Sequence, residues 1–527
     1  MKYQKVTKNY FISNSLYYIS LVLALLLILS IFCTIDKKSI NWFFSSDALY
    51  LPSIYKDLFQ DGGTVAGWHF NPSPNFFPDM PIYFLLMFLT GNFLLSTAFF
   101  AVVQYIIIIS LFRLILLQIL DKEVVNKLVT FSNFLLALYF VSALSHNDLY
   151  ISFYLLINSY HTSAFTLSLL SFLLWIIYLR TGGFIYLILL VINAFLGVLS
   201  DQLMFITVVF PILLTSIFYK KYKYQKRIIL RSFLFTLVGA VLGIFLFFLL
   251  RNNTLIHFGT PYKMFAFTDI LNSTKLFLKD TRSVIFQLNI QSIILLTSII
   301  SLIIGVIISI NAILRKRKFD KLSIYILFSS IFTVAVIISP LINGNYSGID
   351  CYRYNIYPFY LGALNFPLYF VKYSYWFNRI SNIAITVLLC FFIILIVKFF
   401  SISNFREFAD FYPDRVKRID KIASESGLLK GVGDYWDAKY ITMFSKQKIR
   451  IYSVHPGLEK YYHVNNENWF NADTAIFNFV IDQGINHHAI KEKFKLDSIS
   501  YIYRSPDIIK LPEFRYMKNS FEPILLE

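Results

Sequence analysis

The sequence predicts an α-helical polytopic membrane protein that ends in a small C-terminal α/β domain. Hydrophobic residues make up 57% of its 527 residues and charged residues only 15%, a composition far from that of soluble globular domains. Long apolar runs alternate with short linkers as far as residue 400, and residues 401–527 lack such runs. These observations divide the chain into a transmembrane domain, 1–400, and a C-terminal domain, 401–527.

Eleven apolar runs are long enough to cross a bilayer, which takes about 20 helical residues. A shorter run, Asp79–Gly91, has only about 12 apolar residues, too few to cross about 30 Å at 1.5 Å per residue. We therefore predict that it forms a helix lying against the outer membrane face. The predicted spans lie near 15–35, 96–118, 128–145, 162–180, 184–200, 203–219, 232–250, 288–312, 322–340, 354–372 and 380–400.

Lys and Arg concentrate in every second linker, most densely at Lys220–Arg231 and Arg315–Lys318. Cytoplasmic loops retain such an excess of basic residues. The pattern predicts a cytoplasmic N-terminus and an extracytoplasmic C-terminal domain. The first outer loop then covers about 36–96 and is rich in aromatic residues, Asn and Pro.

The formal net charge of +18 does not indicate a nucleic-acid-binding protein. Residues 401–527 contain 18 Lys/Arg against 17 Asp/Glu, so nearly all the excess lies beside the predicted spans. There it sets orientation and favours contact with the lipid bilayer. The three cysteines form neither a disulfide framework nor a metal-ligand pattern.

Within the C-terminal domain, a mostly helical segment broken by Pro413 is predicted at Phe405–Gly427, and a second helix at Tyr435–Ser445. Strand-length apolar runs follow at Ile449–Val454, Ala475–Ile481, Ser498–Tyr503 and Ile508–Leu511. Its Gly433–Lys439 and Asn465–Trp469 segments combine aromatic rings with Asn and Asp, a mixture that suits carbohydrate. We expect Trp436 and Trp469 to lie in the core, because Trp is usually buried. The domain is interpreted as an acceptor-binding or stabilising module.

Asp47 is the leading candidate for chemistry. It follows the first span and precedes Tyr50–Phe59, a predicted helix, so one interpretation is that it caps that helix. The functional interpretation is a general base at the membrane surface, with a pKa raised toward neutrality by a partly apolar site.

The chain resembles the GT-C superfamily of membrane glycosyltransferases in the order of three features. These are a first span, then Asp47-Ala48-Leu49-Tyr50, then the amphipathic stretch Pro81–Leu86. That superfamily includes protein O-mannosyltransferases and aminoarabinose and lipopolysaccharide sugar transferases. The resemblance implies that residues 1–400 have a GT-C-like fold, that Asp47 is the catalytic base and that the donor is a polyprenyl-phosphate sugar. Many members carry a second acid beside the first, whereas Ser46 precedes Asp47 here, so Asp79 is the candidate second carboxylate.

Other polar residues on the predicted outer side are candidates for substrate binding. Arg353 is the leading cation, because a guanidinium binds phosphate through paired hydrogen bonds. Snorkelling or pairing with Asp350 is its structural alternative. The remaining candidates, each with a capping, turn or interfacial alternative, are His146, Asp148, His161 and Asp201.

Together these features predict an inner (plasma) membrane glycosyltransferase that transfers a sugar to an envelope glycan, lipid or protein acceptor. The alternatives are a transporter, flippase or polymerase of lipid-linked saccharides. No cofactor or metal ligand is assigned, although the resemblance leaves a divalent cation possible. Asp47 and Arg353 are expected to face one cavity, about 6–12 Å apart across the donor, given hydrogen-bond reach at each end.

Overall fold

The computed structural model describes most of the chain. The described residues are 2–34, 40–141, 144, 153–219, 226–253, 255–259, 267–315, 320–371, 375–428, 430–471, 475–496, 507–518 and 520–526.

The architecture is predominantly helical, as predicted. The helices are α1 (Lys2–Cys33), α2 (Ile40–Phe43), α3 (Tyr50–Tyr55), α4 (Asp79–Thr90), α5 (Phe93–Leu117), α6 (Lys122–Val141), α7 (Thr162–Thr181), α8 (Phe184–Ser200), α9 (Phe210–Tyr219), α10 (Lys226–Arg251), α11 (Phe267–Ile285), α12 (Ile290–Leu314), α13 (Lys321–Ile342), α14 (Tyr357–Val371), α15 (Tyr375–Phe399), α16 (Ile402–Ala409), α17 (Asp414–Ser426), α18 (Tyr435–Phe444) and α19 (His487–Phe494).

Among the described residues, seven helices are long and apolar enough to cross a membrane, or eight if one bent pair counts as a span. Each lies at a predicted span. The protein is therefore an α-helical polytopic membrane protein. The seven segments are Ile12–Cys33, Phe93–Leu117, Lys122–Val141, Thr162–Thr181, Arg227–Arg251, Ile290–Leu314 and Lys321–Ile342.

Several predicted spans form helices shorter than a typical span. The helices α8 and Phe205–Phe218 are apolar but have fewer than 18 residues, and α15 meets the following helices at a 57° bend.

Helix α4, which is predicted to lie along the membrane surface, has 12 residues and is therefore only about 18 Å long. Its orientation along the membrane surface stays a prediction.

The C-terminal region contains a five-stranded mixed sheet in the order β4-β3-β5-β6-β7. The pairings of β3 with β4 and β5 are parallel, and the two remaining pairings are antiparallel. Buried apolar side chains, among them Val432, Phe477 and Phe514, form a core against this sheet. The strands are β3 (Lys430–Gly433), β4 (Arg450–Ser453), β5 (Phe477–Ile481), β6 (Ile508–Tyr516) and β7 (Pro523–Leu525).

A second, two-stranded sheet joins the first loop to the linker after α10. Its strands, β1 (His69–Phe70) and β2 (His257–Phe258), are parallel. The loop also contacts the C-terminal region, where Trp68 forms a bridge with Asn466. The buried Asp57 carboxylate accepts hydrogen bonds from the indole N–H groups of Trp68 and Trp469 at 2.7 and 2.8 Å. Because Asp57 is 4% exposed, these bonds anchor the loop firmly to the C-terminal region.

Candidate functional site

Asp47 lies in the turn before α3, and its carboxylate is bound by two residues far away in sequence. Arg353 Nη1 donates to Asp47 Oδ2 at 3.1 Å, and the Tyr435 hydroxyl donates to Oδ1 at 2.6 Å. Helix α3 has Leu49 as its N-cap, without a side-chain capping bond. The helix-cap interpretation of Asp47 is therefore wrong.

Arg353 belongs to a 3-10 helix, Ile349–Tyr354, that precedes α14. Its guanidinium lies 5.3 Å from the ring centres of both Tyr160 and Tyr354, close enough for cation–π attraction. Its pairing with Asp47 is direct, at 3.1 Å, and therefore closer than the separation of about 6–12 Å predicted across the donor. Opposite charges attract each other strongly at such short range.

A cavity of about 840 Å³ opens beside this ion pair. Its C-terminal wall comes from the segments that follow the parallel strands β3 and β4. Ligands commonly bind beyond the carboxyl ends of parallel strands, where loops diverge and leave a crevice. The lining residues are Trp42, Ser45, Asp47, Tyr154, Tyr160, Asp350, Arg353, Asp434, Tyr435, Trp436, Val454, His455, Pro456, Tyr461, His463 and Gly484.

The pKa of Asp47 lies below its usual value, contrary to our expectation. Burial raises the pKa, but the charge of Arg353 and the hydrogen bond from Tyr435 lower it by more. The carboxylate is therefore held ionised. As a consequence, Asp47 is a weak base for as long as Arg353 stays paired with it.

Lys439 lies one turn after Tyr435 on α18 and is 3% exposed. Its ammonium lies 4.6 Å from the Tyr435 ring centre and has no hydrogen-bond partner among the described residues. Burial lowers the pKa of Lys439 to about 7, although Asp47 acts in the opposite direction. Lys439 can therefore change charge close to Asp47 near neutral pH.

A smaller cavity of about 210 Å³ shares Asp47, Tyr160, Arg353 and His463 with the first and brings His161 into the site. His161 Nδ1 lies 2.6 Å from Asp201 Oδ2. Asp201 also accepts hydrogen bonds from the Ser73 hydroxyl and the Leu203 amide. Asp201 thus orients His161, whose ring lies 5.0 Å from that of Tyr354, so two of the predicted binding residues act as one unit.

Asp79 is not among the described residues that line the two cavities. Its carboxylate is 1% exposed and accepts a hydrogen bond from the Ser159 amide at 3.1 Å. Burial, with a contribution from Asp201, raises the pKa of Asp79 to about 7. Its assignment as a second catalytic carboxylate therefore loses its geometric basis.

Two further candidates, His146 and Asp148, lie outside the described residues. Sequence reasoning missed Tyr160 and His463 as site residues. The Gly433–Lys439 segment, which is predicted to suit carbohydrate, supplies Tyr435, Trp436 and Lys439. The expectation that Trp436 is a core residue is wrong, because its side chain is 57% exposed and lines the cavity.

The chain matches no model of a known protein family, and a search of curated proteins finds no match. What this site does must therefore be argued from its geometry and chemistry.

Proposed function

We propose that the protein is a membrane glycosyltransferase of the GT-C type, which transfers a sugar from a polyprenyl-phosphate donor to an envelope glycan, lipid or protein. The observation that carries this proposal is the Asp47–Arg353 ion pair at the wall of the cavity. In the proposed reaction the carboxylate acts as the base and the guanidinium binds the phosphate, and the two groups lie side by side at the cavity wall.

Donor binding rearranges this pair. Arg353 Nε is buried without a hydrogen-bond partner among the described residues, so the guanidinium has a donor to offer an incoming phosphate. A phosphate binds a guanidinium through paired, charge-assisted hydrogen bonds. When the phosphate draws Arg353 away from Asp47, the positive charge that most strongly lowers the pKa of Asp47 becomes more distant. The pKa of Asp47 then rises, and the carboxylate becomes a stronger base.

The reaction is a direct displacement at the anomeric carbon. Asp47 accepts the proton of an acceptor hydroxyl, whose oxygen forms the new bond to that carbon as the bond to the phosphate oxygen breaks. The polyprenyl phosphate leaves as an anion, which Arg353 stabilises. One attacking base is enough for a single inverting displacement, in contrast to glycoside hydrolysis, which uses two carboxylates.

The cavity suits a sugar. Its volume of about 840 Å³ lies within the range of small-molecule sites. Trp436 and Tyr461 offer aromatic faces on which the C–H faces of a sugar ring can stack, while His455 and Asp434 offer polar groups. Because these residues come from the C-terminal region, that region helps to bind substrate.

The proposed topology follows the charge pattern. Eleven spans, with the N-terminus inside and the C-terminal domain outside, place Asp47 and Arg353 at the outer face of the inner membrane. Polyprenyl-linked sugars presented in the outer leaflet then reach the site from the bilayer, and acceptors reach it from the envelope.

The test is transfer of a radiolabelled sugar from polyprenyl-phosphate donors to cell-envelope acceptors by purified protein in liposomes. Asp47→Asn should reduce the rate at least about 100-fold, the usual contribution of a general base. The matched control is Asp410→Asn, an exposed carboxylate on the same chain, which should leave the rate unchanged.

Equal rates for wild type and Asp47→Asn would contradict the proposal. Movement of a labelled lipid-linked saccharide across the bilayer without transfer would favour the transporter alternative.

A further inference from the structure

Two histidines meet on the two-stranded sheet outside the proposed catalytic site. Strands β1 and β2 pair in parallel with His69 directly opposite His257. Residues opposite each other in adjacent strands project to the same face. The two imidazole rings accordingly stack, with their centres 4.4 Å apart.

A carboxylate from the C-terminal region completes the group. Glu467 begins a short 3-10 helix, Glu467–Phe470. The Glu467 amide donates to the Gly67 carbonyl at 2.8 Å, and the His69 amide donates to the Asn465 carbonyl at 2.8 Å. These backbone bonds set the position of the Glu467 side chain over the histidine pair.

The donor atoms converge. Glu467 Oε2 lies 3.3 Å from His69 Nε2 and 3.7 Å from His257 Nε2. One ligand atom from each of the three residues lies within 4.8 Å of the ligand atoms of the other two. Zinc bonds of about 2.0–2.2 Å in a tetrahedral arrangement place neighbouring donors roughly 3.4 Å apart. Two of the separations already approach that value.

We propose that His69, His257 and Glu467 bind a divalent transition-metal ion of the zinc class, with the fourth coordination position left open. Two imidazoles and one carboxylate are ligands that zinc uses, whereas magnesium and calcium prefer oxygen ligands alone. Ordinary ion pairing accounts for the arrangement less well. An ion pair with Glu467 requires only one of the two imidazoles, whereas a metal ion accounts for the convergence of all three groups.

The ligands are accessible. Their side chains are 23%, 35% and 40% exposed for His69, His257 and Glu467, respectively. An ion can therefore enter from solvent, and water can occupy the open position.

The ion would link distant parts of the chain. His69 and Glu467 are 398 positions apart, and His257 comes from a third segment. The His69 ring also stacks on Tyr462, with centres 4.8 Å apart. Since the next residue, His463, lines both cavities, the bound metal stabilises the C-terminal wall of the proposed active site.

The test uses tag-free protein in detergent, stripped with a chelator and dialysed. Titration calorimetry with zinc chloride, together with elemental analysis of the dialysed complex, should give one zinc per chain. Zinc should also raise the melting temperature, because a ligand that binds only the folded state stabilises it.

His257→Ala and Glu467→Gln should each weaken zinc binding at least tenfold and remove the rise in melting temperature. His257→Ala retains the His69–Glu467 contact, so the variant should fold. The control is His488→Ala, which alters an exposed His–Glu pair at His488 and Glu492 and should bind zinc as the wild type does. Absence of saturable binding, or binding that both ligand variants leave unchanged, would overturn the proposal and leave an ion pair only.

Discussion

The Tyr435 hydroxyl donates a hydrogen bond of 2.6 Å to Asp47 Oδ1, although 388 positions separate the two residues. The Ser46 hydroxyl also donates to the Tyr435 carbonyl. The site is therefore assembled from the first loop and the C-terminal region together. The C-terminal region therefore forms part of the proposed reaction centre.

Tyr435→Phe should reduce sugar transfer about three- to thirtyfold while the protein stays folded, because losing the hydrogen bond that orients the Asp47 carboxylate outweighs the gain in its basicity. Removing the hydroxyl takes away a hydrogen bond that lowers the pKa of Asp47. The acidic limb of the pH–rate profile should consequently move to higher pH. Tyr440→Phe, on the same helix, is the control, and an unchanged acidic limb in Tyr435→Phe would contradict this coupling.

Arg353→Lys should raise the KM for the donor at least tenfold, because lysine keeps the charge but loses the planar fork that binds phosphate. Arg353→Gln should raise the KM for the donor further. It should also lower the melting temperature, because the buried Asp47 carboxylate then has no positive charge paired with it. Steady-state kinetics over a range of donor concentrations measure both effects. Arg406→Gln, at an exposed position, serves as control. A donor KM that is the same in all three variants would show that Arg353 does not bind the donor.

Lys439→Met should stabilise the protein at neutral pH. The pKa of Lys439 is lowered to about 7 in the folded protein, against about 10.4 in an unfolded chain. Between these two pKa values the unfolded state binds more protons than the folded state, so wild-type stability increases as pH rises. The destabilisation caused by burying a charged Lys439 is therefore largest below pH 7.

Melting temperatures of wild type and Lys439→Met, measured from pH 6 to 9.5, check this prediction. The advantage of the variant should amount to about 3–5 kcal/mol at pH 6, at about 1.36 kcal/mol per pKa unit, and should shrink toward pH 9.5. Lys417→Met, at an exposed position, should show no such trend. A constant difference across the range would mean that Lys439 does not titrate there.

Asp79→Asn should retain sugar transfer, because Asp79 lies outside the two cavities. Its pKa is raised to about 7, so the folded state binds more protons than the unfolded state between about pH 4 and 7, and wild-type stability falls as pH rises through that window. The variant should therefore melt higher than wild type at pH 8 and similarly at pH 4. A hundredfold loss of transfer in a folded Asp79→Asn protein would restore Asp79 as a catalytic residue.

Alkaline phosphatase fused after Glu527 should be active, and the same enzyme fused after Lys226 should be inactive. This enzyme folds only outside the cytoplasm, where its disulfides form, and the basic linkers predict these locations. The reverse pattern would invert the membrane orientation and place Asp47 at the cytoplasmic face.

Local sequence was sufficient for much of the architecture. Apolar runs long enough to span a bilayer fall on all seven long apolar helices. Strands β4 and β5 lie within the predicted runs Ile449–Val454 and Ala475–Ile481, and Pro413 separates α16 from α17. The predicted run Ser498–Tyr503 lies outside the described residues. These features depend on neighbouring residues, through hydropathy and backbone constraint.

Asp47 and Arg353 could also be selected from sequence, because Asp47 follows the first span closely and the guanidinium of Arg353 suits a phosphate. Their direct pairing, the lowered pKa of Asp47 and the buried Lys439 could not. Each depends on the approach of segments hundreds of positions apart. The same is true of His69, His257 and Glu467, which have no recognisable metal-ligand spacing along the chain.

The sequence by itself determined a helical membrane protein, its charge pattern and two of its central polar residues. Only the tertiary structure decided that Tyr435 and Lys439 accompany Asp47, that Asp79 lies outside the linings of the two cavities and that His69, His257 and Glu467 converge. The physical reason is that hydropathy and backbone preferences act locally, whereas the charge state and role of a buried group depend on whichever residues packing brings within a few ångströms.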